Sequence, residues 1–158
     1  MSTIPGTNLI DSDPVRANTA PAVNLKIVQS MRDRVVSFAS KSPDQITQRI
    51  QELEREWDIE RVLEANAATL AFTGLAVGTL RGERKWFLLP AVVLSFLFLH
   101  AVQGWCPPIP ALRRLGVRTR REIDAEIYAL RLLRGDFDGC DKTMNALKAL
   151  EPELTFAE

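Results

Sequence analysis

The feature that most constrains this chain is a long stretch without a charged side chain. Residues 86–112 form a run of 27 residues without Lys, Arg, Asp or Glu, and 11 of the first 19 are Leu, Phe or Val. At about 0.3 to 0.6 kcal/mol each on an insertion scale, these 11 side chains favour the bilayer by about 3 to 7 kcal/mol. A helix of about 19 residues also matches the hydrocarbon thickness of a bilayer. We therefore predict a transmembrane helix over residues 86–105.

A second, weaker span precedes this helix. Residues 62–80 are uncharged from Ala65 onward, but only seven of the 19 are Leu, Phe or Val. Residues 81–85, Arg-Gly-Glu-Arg-Lys, are long enough only for a tight turn between antiparallel helices. The predicted fold is all-α, with a two-helix transmembrane hairpin over residues 62–112 and cytoplasmic amphipathic helices on both sides.

The distribution of basic residues predicts the orientation of the hairpin. The turn holds three basic residues, Arg81, Arg84 and Lys85. The two flanks hold eight arginines, at positions 49, 55, 61, 113, 114, 118, 120 and 121. The positive-inside rule then places both termini in the cytoplasm. The chain as a whole has 20 basic and 20 acidic residues, so its charge gives no reason to expect nucleic acid as a partner.

The N-terminal flank divides into a tail and a helical part. Residues 1–22 carry three prolines among small polar residues, which predicts a disordered tail. Residues 23–61 are predicted to form amphipathic helices, the second of which starts at a capping box over residues 42–45. The apolar side chains of that helix are spaced by 4, 3 and 4 residues: Ile46, Ile50, Leu53 and Trp57. This stripe fits packing on a neighbouring helix of the same chain or a short intermolecular coiled coil.

The C-terminal flank, residues 113–158, is predicted to be helical and cytoplasmic. A capping box at Thr119 and Glu122 opens one helix, Gly135 ends it, and a last short helix is predicted over residues 142–150. Five arginines lie within nine residues at its start: Arg113, Arg114, Arg118, Arg120 and Arg121. Because they follow a transmembrane helix, we expect them to bind anionic lipid headgroups.

Polar residues of the two spans gather near the cytoplasmic end. With Glu83 as the centre of the turn, Asn66 lies level with His100, and Glu64 lies level with Val102 and Gln103. Polar groups inside a membrane are a functional hypothesis by default. A hydrogen bond between Asn66 and His100 across the hairpin is the favoured interpretation. Proton or ion handling is the alternative, and it requires an oligomer because two helices cannot enclose a pore.

Small residues line one face of the first span: Ala67, Ala71, Gly74 and Gly78. Such residues let helices approach closely in a membrane, where lipid gives no hydrophobic drive for association. The face could pack within the hairpin or against a second copy of the chain. Both remain open from the sequence.

The second span ends in the string Trp-Cys-Pro-Pro-Ile-Pro at residues 105–110. The prolines are predicted to stop the helix and to hold Cys106 at the cytoplasmic interface. There the thiol could be packed, or it could be reactive with basic residues nearby. His100 and Cys106 are about 240° apart around a helix, so one straight helix cannot offer both to one metal ion. The sequence predicts no metal site, and it predicts no cofactor.

The exit string, with Gln103 and Gly104 before it and the Leu-Gly-Val-Arg-Thr segment at residues 115–119 after it, resembles the YgaP-like two-helix inner-membrane domain family. The resemblance covers about residues 59–119 and implies a multi-pass protein of the bacterial inner membrane. Some relatives resembling this domain carry a rhodanese-type sulfurtransferase domain, which suggests sulfur handling by association. This chain has no rhodanese-like active-site loop.

We therefore predict a non-enzymatic inner-membrane protein that associates with itself or anchors a membrane-protein partner through its helices. The alternative is a thiol or sulfur-relay module acting through Cys106 at the cytoplasmic face of the membrane.

Overall fold

The computed structural model describes residues 13–138, and all regular structure in them is helical. In chain order the helices are α1 (Pro14–Ala17), α2 (Pro21–Phe38), α3 (Pro43–Glu54), α4 (Ile59–Arg81), α5 (Leu88–Gln103), α6 (Ile109–Arg114) and α7 (Arg120–Arg134), with a 3-10 turn at Arg84–Phe87. The all-α expectation is confirmed for these residues. The helix predicted over 142–150, and Cys140, lie outside them.

Helices α4 and α5 pack side by side as a helical hairpin. Asp58 caps α4 by accepting a hydrogen bond from the Arg61 N–H at 2.8 Å, so α4 begins three residues before the predicted boundary at 62. Gly82 ends α4 with a φ of +65°, a backbone conformation that favours glycine. Both predicted spans therefore correspond to helices, with a short turn between them.

The second helix of the hairpin ends earlier than the prolines alone predict. Gly104, at φ +69°, stops α5 at Gln103, and its N–H donates to the His100 carbonyl at 2.8 Å. The prolines begin three residues later and lead into α6, a short helix that the sequence analysis did not predict. Residues 105–112 are therefore a loop and a short helix at the base of the hairpin and not part of its second span.

The main apolar core outside the hairpin joins α3 and α7. Both predicted capping boxes are present, at Ser42 with Gln45 and at Thr119 with Glu122. The core consists of aliphatic side chains from the two helices: Ile46, Ile50, Leu53, Ile123, Ile127 and Leu130. Burial of each such side chain contributes about 1.5 to 3 kcal/mol relative to exposure. The stripe on α3 therefore packs within the chain, although Trp57 lies outside this core and is half exposed.

Residues 13–22, predicted as part of a disordered tail, are folded. Asp13 caps α1 by accepting from the Val15 N–H at 2.9 Å, and Val15 is buried. The Asn18 side chain donates to the Gln103 carbonyl at 2.8 Å, which ties this segment to the end of α5. The prediction was wrong because one buried valine and local caps hold a segment that has no other large apolar side chain.

A second apolar cluster forms the base of the hairpin. It contains Val15, Ile59, Leu63, Cys106 and Ile109. The Ile59 N–H also donates to the carbonyl of Arg118 at 2.9 Å, joining the start of α4 to the segment that precedes α7. The hairpin is thus connected to a folded base made of the helices that lie outside it. Helix α2 belongs to this base because it packs on α7.

Candidate functional site

The hairpin is covered with exposed apolar side chains. No side chain of α5 is buried, and the exposed large apolar residues of the hairpin include Leu70, Phe72, Leu75, Leu88, Val92, Leu94, Phe98 and Val102. Soluble proteins rarely leave so large a continuous apolar surface uncovered. Among the described residues, two helical segments are long and apolar enough to cross a membrane, one ending at Arg81 and one at Arg84–Gln103.

The hydroxyl side chains within the hairpin bond to their own helix. The hydroxyls of Thr69, Thr73, Thr79 and Ser95 each donate to the carbonyl four residues earlier, at 2.7 to 2.8 Å. A hydroxyl satisfied in this way does not need water. Placing these hydroxyl groups in an apolar environment therefore costs little free energy.

The small-residue face packs inside the hairpin. A Cβ added at Gly74 would lie 2.7 Å from Pro90 Cδ, and one at Gly78 would lie 3.2 Å from the Cβ of Trp86. Gly74, Gly78 and Ala67 are buried, while Ala71 is half-buried. Gly74 allows the close approach of α4 to α5, and Gly78 allows that of α4 to the 3-10 turn, so both glycine positions are occupied without a second copy.

The predicted polar cluster is not joined by a hydrogen bond. The Asn66 side chain donates to the Val62 carbonyl of its own helix at 2.8 Å, and the buried His100 Nδ1 has no hydrogen-bond partner among the residues that the structure describes. Glu64 is exposed, and the carbonyl of Gln103 accepts from Asn18. The expected bond between Asn66 and His100 is therefore absent, because Asn66 is satisfied within its own turn of helix.

Cys106 is 7% exposed and lies in the apolar cluster at the hairpin base. Burial raises the pKa of its thiol. The nearby Arg113 does not offset this, because its guanidinium is paired with a carboxylate of α7. The environment is that of a packed thiol, whereas a sulfur relay needs a lowered pKa and an accessible sulfur.

The most developed polar arrangement is one that the sequence did not predict. Arg113 and Glu122 are both fully buried, and the guanidinium donates to the two carboxylate oxygens at 2.6 and 2.8 Å. Arg16 of α1 donates to the same carboxylate at 2.6 Å, and the Thr119 N–H donates at 3.0 Å. Glu122 therefore joins α1, α6 and α7 through a single side chain.

A second buried carboxylate, Glu126, lies one turn further along α7. It accepts hydrogen bonds from Arg118 and from Arg34, the latter at 2.9 Å, and Arg49 lies 3.5 Å away. Arg118 also donates to both oxygens of Glu56. Glu126 thus connects α7 with α2, α3 and the segment before α7.

The pKa values of the Glu122 and Glu126 carboxyls are both lowered by their hydrogen-bond partners. Burial by itself raises the pKa of Glu122, but hydrogen bonds from Arg113 and the Thr119 N–H outweigh it, and the pKa is lowered. Burial likewise raises the pKa of Glu126, but Arg34 and Arg118 lower it further below its ordinary value. Both groups are therefore carboxylates at neutral pH, each balanced by at least two guanidinium groups.

This network corrects part of the lipid-binding expectation. Arg113 and Arg118 are 1% and 4% exposed and are engaged with carboxylates, so their guanidinium groups do not face the surface. Arg114, Arg120 and Arg121 are exposed. The sequence offers one signal for this network, the i, i+4 spacing of Glu122 and Glu126 beside the apolar stripe of α7. That spacing does not identify the arginines that pair with the two glutamates.

No group of three or more His, Cys, Asp or Glu side chains within residues 13–138 is arranged to hold a metal ion. Comparisons with protein-family models, with curated proteins and with solved structures gave no match. The resemblance to the YgaP-like family therefore stays a prediction, and function must be argued from the hairpin and the ion-pair network.

Proposed function

We propose that this chain is a non-enzymatic protein of the bacterial inner membrane, in which α4 and α5 cross the bilayer and both termini lie in the cytoplasm. The observation that carries the proposal is the uncovered apolar surface of the hairpin. Lipid would cover this surface, which in water would be exposed at a large cost in free energy.

In this proposal the hairpin anchors a cytoplasmic helical unit. The ion pairs on Glu122 and Glu126 join α1, α2, α3, α6 and α7 into one base below the hairpin. This base presents a fixed surface to a membrane-protein partner or to a second copy. Self-association would use a surface other than Gly74 and Gly78, because α5 covers Gly74 and the 3-10 turn before α5 covers Gly78. Arg114, Arg120 and Arg121 are proposed to contact anionic headgroups.

Arginine substitutions on the exposed face of α5 test the anchor. Leu94 and Phe98 are 52% and 68% exposed. Leu94→Arg together with Phe98→Arg should move the protein out of the carbonate-resistant membrane fraction, since each arginine costs about 2.5 to 3.5 kcal/mol at the centre of a span. Leu132→Arg on α7, where Leu132 is 51% exposed, is the matched control and should stay in the membrane. Equal membrane fractions for the double variant and the control would contradict the anchor.

The partner part of the proposal has its own test. A photo-crosslinking residue at Tyr128, which is 51% exposed on α7, should recover a discrete crosslinked product in cells. If no product forms from several exposed positions and the detergent-solubilised protein is strictly monomeric, the association proposed here is wrong.

A further inference from the structure

An open cleft of about 580 Å³ lies between α2, α3 and the segment that runs from α6 to Arg118. We call it the basic cleft. Its lining carries six cationic side chains, from Lys26, Arg34, Arg49, Arg113, Arg114 and Arg118. Glu56 is the one carboxylate among its described lining residues. In a chain with no net charge, this is a marked local excess of positive charge.

Part of this charge has no counter-ion among residues 13–138. Lys26 and Arg114 are exposed, and neither takes part in the ion pairs of the described residues. The deeper arginines are shared among the carboxylates of Glu122, Glu126 and Glu56. An anion in the cleft would therefore face two uncompensated cations as well as the edge of the buried network.

Two buried donors in the lining also lack an acceptor. The Nε–H groups of Arg49 and Arg113 are buried and have no hydrogen-bond partner within residues 13–138, although the Nη atoms of both side chains are used. The Arg113 side chain is fully buried and that of Arg49 is 22% exposed. Buried N–H groups are nearly always paired in folded proteins, so the Nε–H of the partly exposed Arg49 side chain indicates an acceptor from outside residues 13–138, whereas the fully buried Arg113 side chain is out of reach of a ligand in the cleft.

We propose that the basic cleft binds a phosphate group. Phosphate carries the charge that Lys26 and Arg114 would compensate, and its oxygens accept from planar guanidinium groups in a fork geometry. The group could belong to a lipid headgroup or to a free phosphate compound, and the recognition chemistry is the same. All the cationic residues lie outside the hairpin, so the proposal does not depend on how α4 and α5 meet the membrane.

Calorimetric titration of the full chain in a neutral detergent tests the proposal. Inorganic phosphate is one probe, and a short-chain phosphatidylglycerol in the same detergent is the other. Binding of both, with mutual competition, would show that the phosphate group alone is recognised. Binding of the lipid alone would assign the site to headgroups. If neither probe binds, the proposal is wrong.

Matched variants locate the binding. Lys26→Gln and Arg114→Gln should each weaken the affinity for the bound probe about fivefold, because each removes one cation next to the phosphate. Arg32→Gln, an exposed change on the same helix as Lys26 but outside the cleft lining, should leave it unchanged. Equal effects of Lys26→Gln and Arg32→Gln would overturn the assignment to the cleft.

Arg49→Lys separates the donor from the charge. It keeps the positive charge but removes the guanidinium, and with it both the Nε–H and the Nη donors that bond Glu52 and Glu126, so the affinity should fall about fivefold although the net charge is unchanged. The circular dichroism spectrum should match that of the unsubstituted chain, which separates loss of binding from loss of folding. An unchanged affinity would exclude Arg49 as a ligand-binding residue and contradict the role given to its Nε–H.

Discussion

Glu122→Gln is the substitution that most directly probes the buried network. Gln has nearly the same shape as Glu, but it replaces one acceptor oxygen with an NH2 group that would face the guanidinium of Arg113. The native carboxylate receives two bonds from Arg113, one from Arg16 and one from the Thr119 N–H, at 2.6 to 3.0 Å. Since Arg113 is fully buried, its charge would be left without a counter-ion.

Breaking a buried ion pair by removing one partner costs about 3 to 5 kcal/mol. Urea unfolding of the full chain in detergent micelles, followed by circular dichroism, should therefore show a loss of that size for Glu122→Gln. Asp124→Asn on the same helix is the control, because Asp124 is 54% exposed and pairs with Arg120 at the surface. Its loss should be below about 1 kcal/mol.

The same reasoning predicts a partial rescue. Arg113→Met combined with Glu122→Leu removes both charges of the fully buried pair and leaves Arg16, whose side chain is 15% exposed, without this partner. Replacing a buried pair by apolar groups costs less than leaving one fully buried charge alone. The double variant should be more stable than Glu122→Gln. If Glu122→Gln were no less stable than Asp124→Asn, the network would not hold the base together. A double variant less stable than Glu122→Gln would contradict the predicted rescue.

Three further predictions follow from particular contacts. Lowering the pH below about 4.5, the ordinary pKa of a glutamate carboxyl, should progressively lower the free energy of unfolding, because the folded state holds the pKa values of Glu122 and Glu126 below that value. A variant with Gln at both positions should lose this pH dependence, and an unchanged pH dependence would contradict the prediction. Gly104→Ala should destabilise the protein more than Gly116→Ala by thermal unfolding, since both glycines have positive φ but only a Cβ at Gly104 collides with Pro14, at 2.4 Å; equal losses would exclude the collision. Maleimide should label Cys106 slowly in the native protein and rapidly after unfolding, because burial shields the thiol and raises its pKa; fast native labelling would reopen the sulfur-relay alternative.

Local signals account for what the sequence predicted well. The hairpin spans follow from uninterrupted apolar composition, and α3 and α7 follow from capping boxes and apolar stripes, all of which depend on residues within a few turns of each other. Two neighbouring helix-ending signals follow α5, a glycine and then the prolines. Gly104 comes first and ends the helix at Gln103, before the prolines are reached.

Long-range pairing could not be predicted in this way. Arg16 and Glu122 are 106 residues apart in sequence, and Arg34 and Glu126 are 92 apart. Arg113 and Arg114 are neighbours in one basic segment, yet one is buried in an ion pair and the other is exposed. Nothing in the local pattern distinguishes the two, because the difference arises from the position of α7. The folding of residues 13–22 depends in the same way on a distant apolar cluster.

The most direct test of the central proposal is the accessibility of single cysteines on the two sides of the membrane. Gly82→Cys places a thiol in the hairpin turn, and Ser40→Cys places one on the exposed connection between α2 and α3, each in a background without Cys106 and Cys140. A membrane-impermeant maleimide should label position 82 in spheroplasts and position 40 only in inverted inner-membrane vesicles. Labelling of both positions from the cytoplasmic side alone would show that α4 and α5 do not cross the membrane.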